Sequence, residues 1–268
     1  MYDTPPAATF GRGRLRDANV LLSSRTKRAM AGVSATRNSS KSRNHLLAAM
    51  SSTNFASLQP HLKPVPMALL KDMELPNQRI ETVYFMETGI ASVVAVQPDE
   101  TRVEVGLIGH EGMSGMAVVL GGNRSPHATY IQVAGEGQRI TASELRKAMN
   151  ASQTLQSLLL KFVQVFMVQT AHTAIANARS HINQRLARWI LMAHDRTSAN
   201  TLPLTHEFLS LMLGVRRAGV TEALQSLKRQ KLIDNGRNKI VVLNRKGIER
   251  AAGKSYGTPE KEYRRLIG

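Results

Sequence analysis

The sequence predicts an α+β chain. An antiparallel, jelly-roll-like β-roll comes first, then a long helix, then a helix pair with a strand hairpin. Three observations predict this order. Short β-branched runs separated by Gly, Pro, Asn and Asp fill residues 62–140, as in a roll or barrel of antiparallel strands. Residues 152–177 keep a helical period. Residues 204–233, LTHEFLSLMLGVRRAGVTEALQSLKRQKLI, hold two apolar-periodic runs joined at Gly214-Val215, with a strand hairpin signal behind them.

The roll is expected over residues 44–150. It opens on a helix at NHLLAAM, capped by Asn44 or Ser42. VYFM (83–86), IASVVAV (90–96), TRVEVGLIG (101–109) and ATYIQVAG (128–135) are its strands. Val103, Val105 and Leu107 alternate, as do Thr129, Ile131 and Val133, so one face of each strand is apolar. Thr141-Ala-Ser-Glu144 is a capping-box pattern that opens the next helical region. The long helix occupies 151–180. Leu158, Phe162, Val165, Gln169, His172 and Ala176 step along it by four and three, a heptad-like seam. Such a seam serves either a dimer or a helix packed on its own strands. Another helix runs roughly over 181–195, with Leu186, Ile190 and Ala193 on one face and the only Trp, Trp189, as a core residue. Residues 253–268 are left as a C-terminal tail.

The net charge of +17 is unevenly spread. Residues 1–44 carry +7, residues 45–178 carry −1 and residues 179–268 carry +11. A neutral middle between basic ends points to a polyanion at one end. Residues 1–43 are Arg-, Ser-, Ala- and Gly-rich without an apolar period, and are expected to be a disordered basic extension. That extension is either an arm on nucleic acid or has no role. The absence of Cys excludes a disulfide framework, a thiolate metal site and a cysteine nucleophile, and suits a reducing compartment. The apolar stretch 158–168 is too short and too polar to span a membrane, and the N-terminus has no secretory signal pattern. A soluble cytoplasmic protein is expected.

The helix pair poses a question of charge. Thr205 suits an N-cap and Gly214 a helix end. The second helix then begins with Arg216 and Arg217, at an end the helix dipole already makes positive. Two cations there make sense if a polyanion arrives. In a helix-turn-helix the second helix enters the major groove N-terminus first. Arg217 then suits guanine O6 and N7, and Arg216 a phosphate. Ala218 and Gly219 are small enough for close approach. KLIDNGRNKIVVL (231–243) is read as a hairpin around Asn235-Gly236, with Arg237 and Lys239 at its tip. A helix pair with a basic hairpin is a winged helix-turn-helix, here over residues 181–252.

The order of roll, long helix, "RLARWILMAHDR", helix-turn-helix and basic wing resembles the Crp/Fnr superfamily of bacterial transcription regulators, over about residues 44–250. The resemblance implies a homodimer through the long helix, and double-stranded DNA read as a pseudo-palindrome with one recognition helix per half-site. RNA polymerase is a further partner it allows. It implies base reading by Arg217, Ala218, Thr221 and Glu222. It implies backbone contacts by Thr205, His206, Arg216, Gly219, Arg237 and Lys239.

The roll departs from the family's cyclic-nucleotide pattern of Gly-Glu-Leu followed by Arg-Ser/Thr-Ala. Gly115 and Ala128 match, but Met116 stands for the Glu, and Pro126 and His127 for the Arg and Ser/Thr. Arg124 is two residues out of place. Lys or apolar residues do not copy a bidentate Arg. The roll is therefore expected not to bind cyclic AMP by the usual contacts. An unidentified effector held near Arg124 and the loop GHEGMSG (109–115), with Glu111 as a contact, is the alternative. No cofactor or metal is expected. His61, His110, His127 and His172 are too scattered for a haem or metal set, and the adjacent His–acid pairs His110-Glu111 and His194-Asp195 lack a nucleophile beside them. An enzyme is not expected. A non-specific nucleoid protein would use the same basic ends without base readout.

Overall fold

The computed structural model describes residues 42–99, 101–197, 199–236 and 238–268. Two units are distinguished. One comprises residues 1–41 and 97–101; there the Gln97 N–H donates to the Thr101 carbonyl at 2.9 Å, and the Thr101 N–H donates to Asp99 Oδ1 at 2.9 Å. The basic extension expected over 1–43 lies, up to residue 41, outside the described residues. All that follows concerns the second unit, residues 42–96 and 102–268.

It opens with α1 (His45–Ala48) and α2 (Ser52–Leu58). Asn44, not Ser42, caps α1, its Oδ1 accepting from the Leu47 N–H at 2.9 Å. The Asn44 amide donates to the Met86 and Gly112 carbonyls and so ties this helix to the roll. The roll is two antiparallel sheets. One has the order β1-β7-β3, from β1 (Lys63–Met67), β7 (Gly135–Thr141) and β3 (Thr82–Met86). The other has the order β2-β6-β4-β5, from β2 (Asp72–Glu74), β6 (Ala128–Val133), β4 (Ile90–Val96) and β5 (Arg102–Ile108). The four strands expected from their alternation are all present. Strands β1, β2 and β7 were not anticipated, because KPVPM, DME and GEGQRIT carry Pro, acids or Gly where a strand signal needs β-branched residues.

Between β5 and β6 lies the single turn α3 (Met116–Val119). After β7 comes α4 (Ala142–Ala151). Only half of the expected capping box forms there. Thr141 Oγ1 accepts from the Glu144 N–H, but the Glu144 carboxylate turns to Lys147 and His61.

The long helix α5 (Gln153–Arg179) buries Leu155, Leu159, Phe162 and Val163 in one cluster with Val83, Phe85 and Ile140 of the roll. Gly106 and Gly112 lack the Cβ that would strike the rings of Phe166 and Phe162, so these aromatics seat directly on the roll backbone. Gln169 completes the seam: its amide exchanges hydrogen bonds with the Leu107 N–H and carbonyl, at 2.8 and 3.1 Å. The expected seam of Leu158, Phe162, Val165, Gln169, His172 and Ala176 is thus turned inward. Phe162, Val165, Gln169 and Ala176 are buried by their own chain, and Leu158 and His172 are half-buried. The opposite stripe, Leu160, Gln164, Met167, Ala171, Ala174 and Ala178, also steps by four and three and is exposed throughout. α5 is long enough to span a membrane and holds an 18-residue window apolar enough to do so, with a mean hydropathy of 1.3, which the shorter stretch 158–168 did not suggest. Its apolar face belongs to the core of the roll.

The C-terminal part comprises α6 (Ile182–Asp195), β8 (Thr201–Leu202), α7 (His206–Leu213), α8 (Arg217–Arg229), β9 (Ile233–Gly236), β10 (Lys239–Val242) and α9 (Arg245–Ala252). The expected tail is helical from Thr258 to Leu266. This α10 packs along α5, with Tyr263 and Ile267 reaching the roll core and the Tyr263 hydroxyl donating to the Glu111 carbonyl. Its missed signal was Thr258-Pro-Glu260, a Pro in the first turn with an acid three residues past Gly257.

Candidate DNA interface

The helix pair forms for local reasons. Thr205 Oγ1 accepts from the Phe208 N–H at 3.1 Å and starts α7. Gly214 ends it at φ 59°, the left-handed region that a side chain resists, and its N–H bonds the Leu211 carbonyl. Val220, Ala223, Leu224 and Leu227 of α8 are buried against α6 and α7 in a cluster with Trp189, Ile190 and Leu209. At roughly 25 cal/mol per Å² this packing outweighs any propensity term in placing α8.

The outer face of α8 carries the predicted set. Arg216 is its N-cap, with no side chain capping the helix and no acid in the first turn. Arg216, Arg217, Ala218 and Glu222 are exposed. Among the described residues neither arginine has an ion pair or side-chain hydrogen bond, and the Arg217 and Ala218 N–H groups have no acceptor. This end therefore offers two free guanidinium groups and two free N–H groups on a positive dipole end.

Two members of the set stand differently from expectation. Thr221 is half-buried and its hydroxyl is engaged, donating to the Arg217 carbonyl at 3.0 Å and meeting His206 Nδ1 at 3.3 Å, so a neighbour sees mainly its methyl group. His206 is thereby linked to α8, a pairing the linear spacing gave no means of finding. Gly219 does not face outward: a Cβ there would meet Ile182 Cδ1 at 3.1 Å, so its smallness serves the approach of α6. It lies one residue before buried Val220, on the inward side of the helix.

The wing is a sheet of order β8-β10-β9. Lys239 pairs with Gly236 and Ile240 with Asn235, so Asn235-Gly236 closes a strand instead of forming the turn. Asn238, just before β10, has φ 60°. Lys239 is exposed; Arg237 lies outside the described residues. Lys228 is drawn away from the α8 face by Asp234 at 2.7 Å, and the ammonium holds that carboxyl below the usual range.

Buried polar links hold this part against the roll. Glu104 of β5 accepts from the Ser92 hydroxyl at 2.6 Å and from Trp189 Nε1–H at 2.7 Å. Burial pushes its pKa up to about 7, against the pull of those bonds and of Arg188 and Arg196. Arg196, at the end of α6, bonds Glu111 at 2.8 Å, and both are largely buried. Glu111 is therefore a structural partner and not a free loop acid. Arg188 bonds the Ser255 carbonyl and Thr173.

In the roll, Gly115 sits at φ 77° and its N–H donates to Glu74 Oε1 at 2.7 Å. Burial raises the Glu74 pKa, the Gly115 bond opposing. Met116 packs on a methionine-rich cluster with Met67, Met73 and Met86. Pro126 is exposed, His127 half-buried and Ala128 buried, while Arg124 is exposed on an isolated backbone bridge with Arg79. No group of three or more His, Asp or Glu able to hold a metal occurs among the described residues.

Known proteins extend this geometry. The Crp-like helix-turn-helix domain family matches residues 184–251. The global nitrogen regulator of Nostoc sp. (strain PCC 7120) is 22% identical over 182 residues, covering 64% of this chain and 81% of that protein. FixK2 from Bradyrhizobium japonicum superposes with a TM-score of 0.61 at 17% identity, covering 72% of this chain and 98% of its own. The c-di-GMP responsive global regulator CLP of Xanthomonas campestris gives 0.59 at 15% identity, covering 72% and 99%. A CRP-family transcriptional regulator from Thermus thermophilus gives 0.59 at 18%, covering 72% and 97%. The chain thus carries a Crp-like helix-turn-helix domain over residues 184–251 and shares the fold of these regulators.

Proposed function

We propose that the protein acts as a homodimer on a two-fold symmetric DNA site, with one α8 in the major groove of each half-site. The observation that carries this is the open N-terminal end of α8, where exposed Arg216 and Arg217 have no partner among the described residues and two backbone N–H groups have no acceptor. Arg217 reads a base edge; Arg216 and Lys239 hold phosphates. The dimer forms through the exposed stripe of Leu160, Met167 and Ala171 on α5, because the opposite stripe is used inside the chain. The roll does not take cyclic AMP by the usual contacts. Supporting this, Met116 belongs to a packed cluster and the Glu74 carboxylate already holds the Gly115 N–H.

Titration of labelled duplexes tests the assignment. Arg217→Ala should cost about 1–3 kcal/mol on the selected site and far less on random DNA. Arg216→Ala and Lys239→Ala should weaken both alike and reduce the salt slope by about one. Equal losses for Arg217→Ala on both DNAs would reduce that residue to a phosphate clamp.

A further inference from the structure

A cleft with a volume of about 210 Å³ opens where the roll, α5, the end of α6 and α10 meet. Phe162, Val165 and Phe166 of α5 contribute its apolar part. The roll contributes His45, His110 and Glu111; the C-terminal part contributes Asp195, Arg196, Arg245 and Tyr256; α10 contributes Glu260 and Arg264. It is smaller than the roughly 300–1,000 Å³ of pockets for drug-sized ligands, but far larger than one water needs.

Its acids are already engaged. Glu111 accepts from Arg196 at 2.8 Å and from the Gly109 N–H. Asp195 accepts from Arg245 and from the Tyr256 hydroxyl, both at 2.6 Å. Glu260 accepts from the Gly257 N–H at 3.0 Å. The donors left over are the imidazoles of His45 and His110, which meet edge-on at 4.3 Å between centroids, and the Arg264 guanidinium. None of these three side chains has a hydrogen bond or ion pair among the described residues. The cleft thus pairs an apolar wall with three unpartnered donor side chains, one of them the Arg264 guanidinium, while Glu111 and Asp195 are each tied to an arginine. We propose that it binds a compact organic carboxylate with an apolar body, and that this ligand acts as an effector. The body lies on Phe162, Val165 and Phe166, and the carboxylate meets His110 and Arg264 in charge-assisted bonds. Because its walls come from both the roll and the DNA-binding part, occupancy changes how firmly α6 and α9 are held. That consequence rests on the DNA-binding reading above; the binding itself does not.

Benzoate and hexanoate serve as probes, with benzamide and acetate as controls lacking the charge or the body. Calorimetric titration of the full chain without DNA should show saturable binding of a probe carboxylate. Benzamide and acetate should bind at least about tenfold more weakly. His110→Asn and Arg264→Gln should each weaken the carboxylate by about tenfold while leaving the melting temperature unchanged. No saturable binding of either carboxylate at millimolar concentration overturns the proposal, as does equal binding of benzamide or indifference to both substitutions. In a second arm, the bound carboxylate should shift the affinity for the selected DNA site, and an unshifted affinity refutes the effector role. If the chain selects no specific DNA at all, the DNA-binding reading fails, and the first arm still judges the cleft.

Discussion

Glu104 offers a test in which the structure sets the magnitude. Its carboxyl is buried between β5 and α6, held by Ser92 and Trp189, and burial moves its pKa from 4.5 to about 7. Below the unfolded value both folded and unfolded chains hold the proton, and the group is neutral with respect to folding. Between 4.5 and about 7 the folded chain still binds a proton that the unfolded chain has released. Stability therefore falls as pH rises through this window, and the loss is complete above it. At ~1.4 kcal/mol per tenfold change the full effect is about 3 kcal/mol. Glu104→Gln keeps both partners, its carbonyl accepting from Trp189 and its amide donating to Ser92. The variant should match the parent near the acid end and exceed it by about 2–3 kcal/mol at the alkaline end. Urea unfolding followed by fluorescence reads this directly, since Trp189 is the only tryptophan and touches the group. A difference between the two proteins that stays constant across the pH window would refute the reasoning.

The two faces of α5 should separate oligomer from fold. Met167→Glu should yield monomers in sedimentation with an unchanged melting temperature, because Met167 is 66% exposed. Val165→Glu buries an unpaired carboxylate and should unfold the chain or lower its melting temperature sharply. Arg196→Ala leaves Glu111 largely buried without its cation and should cost about 3–5 kcal/mol by denaturant titration, whereas removing both partners should cost less. Gly214→Ala places a Cβ at φ 59° with open space around it, so the expected loss is backbone strain alone, about 1–2 kcal/mol. A neutral result there would mean that α7 does not end in the left-handed conformation.

Period and punctuation carried most of the architecture. Alternating β-branched runs located β3 to β6, and Thr205 and Gly214 bounded α7. The arginines that open α8 stood out in the sequence because they contradict the helix dipole, and the structure leaves both exposed there. What failed depended on information outside any one segment. The α5 heptads give two stripes, and only the packing of Gly106 and Gly112 on Phe166 and Phe162 selects the one turned inward. Gly219 looked like room for DNA, yet the atom it admits is Ile182 Cδ1. Asn235-Gly236 is a strong turn dipeptide, but its register against β10 keeps both residues in the strand. Glu111 and Arg196 lie 85 residues apart, so no spacing could join them. The role of α10 was hidden for a similar reason, since a short, charged segment at a chain end acquires meaning only from the helix it covers.

The central claim is that α8 reads base sequence as a two-fold pair. Selection of DNA sites from a random pool by the purified chain, in moderate salt, without nucleotide and with Arg217→Ala run in parallel, tests it most directly. Enrichment of an inverted repeat with half-sites one helical turn apart, degraded at one base pair per half-site by Arg217→Ala, is the result predicted here. Enrichment of no motif while binding persists at low salt would contradict it and leave a basic protein that holds DNA by its phosphates alone.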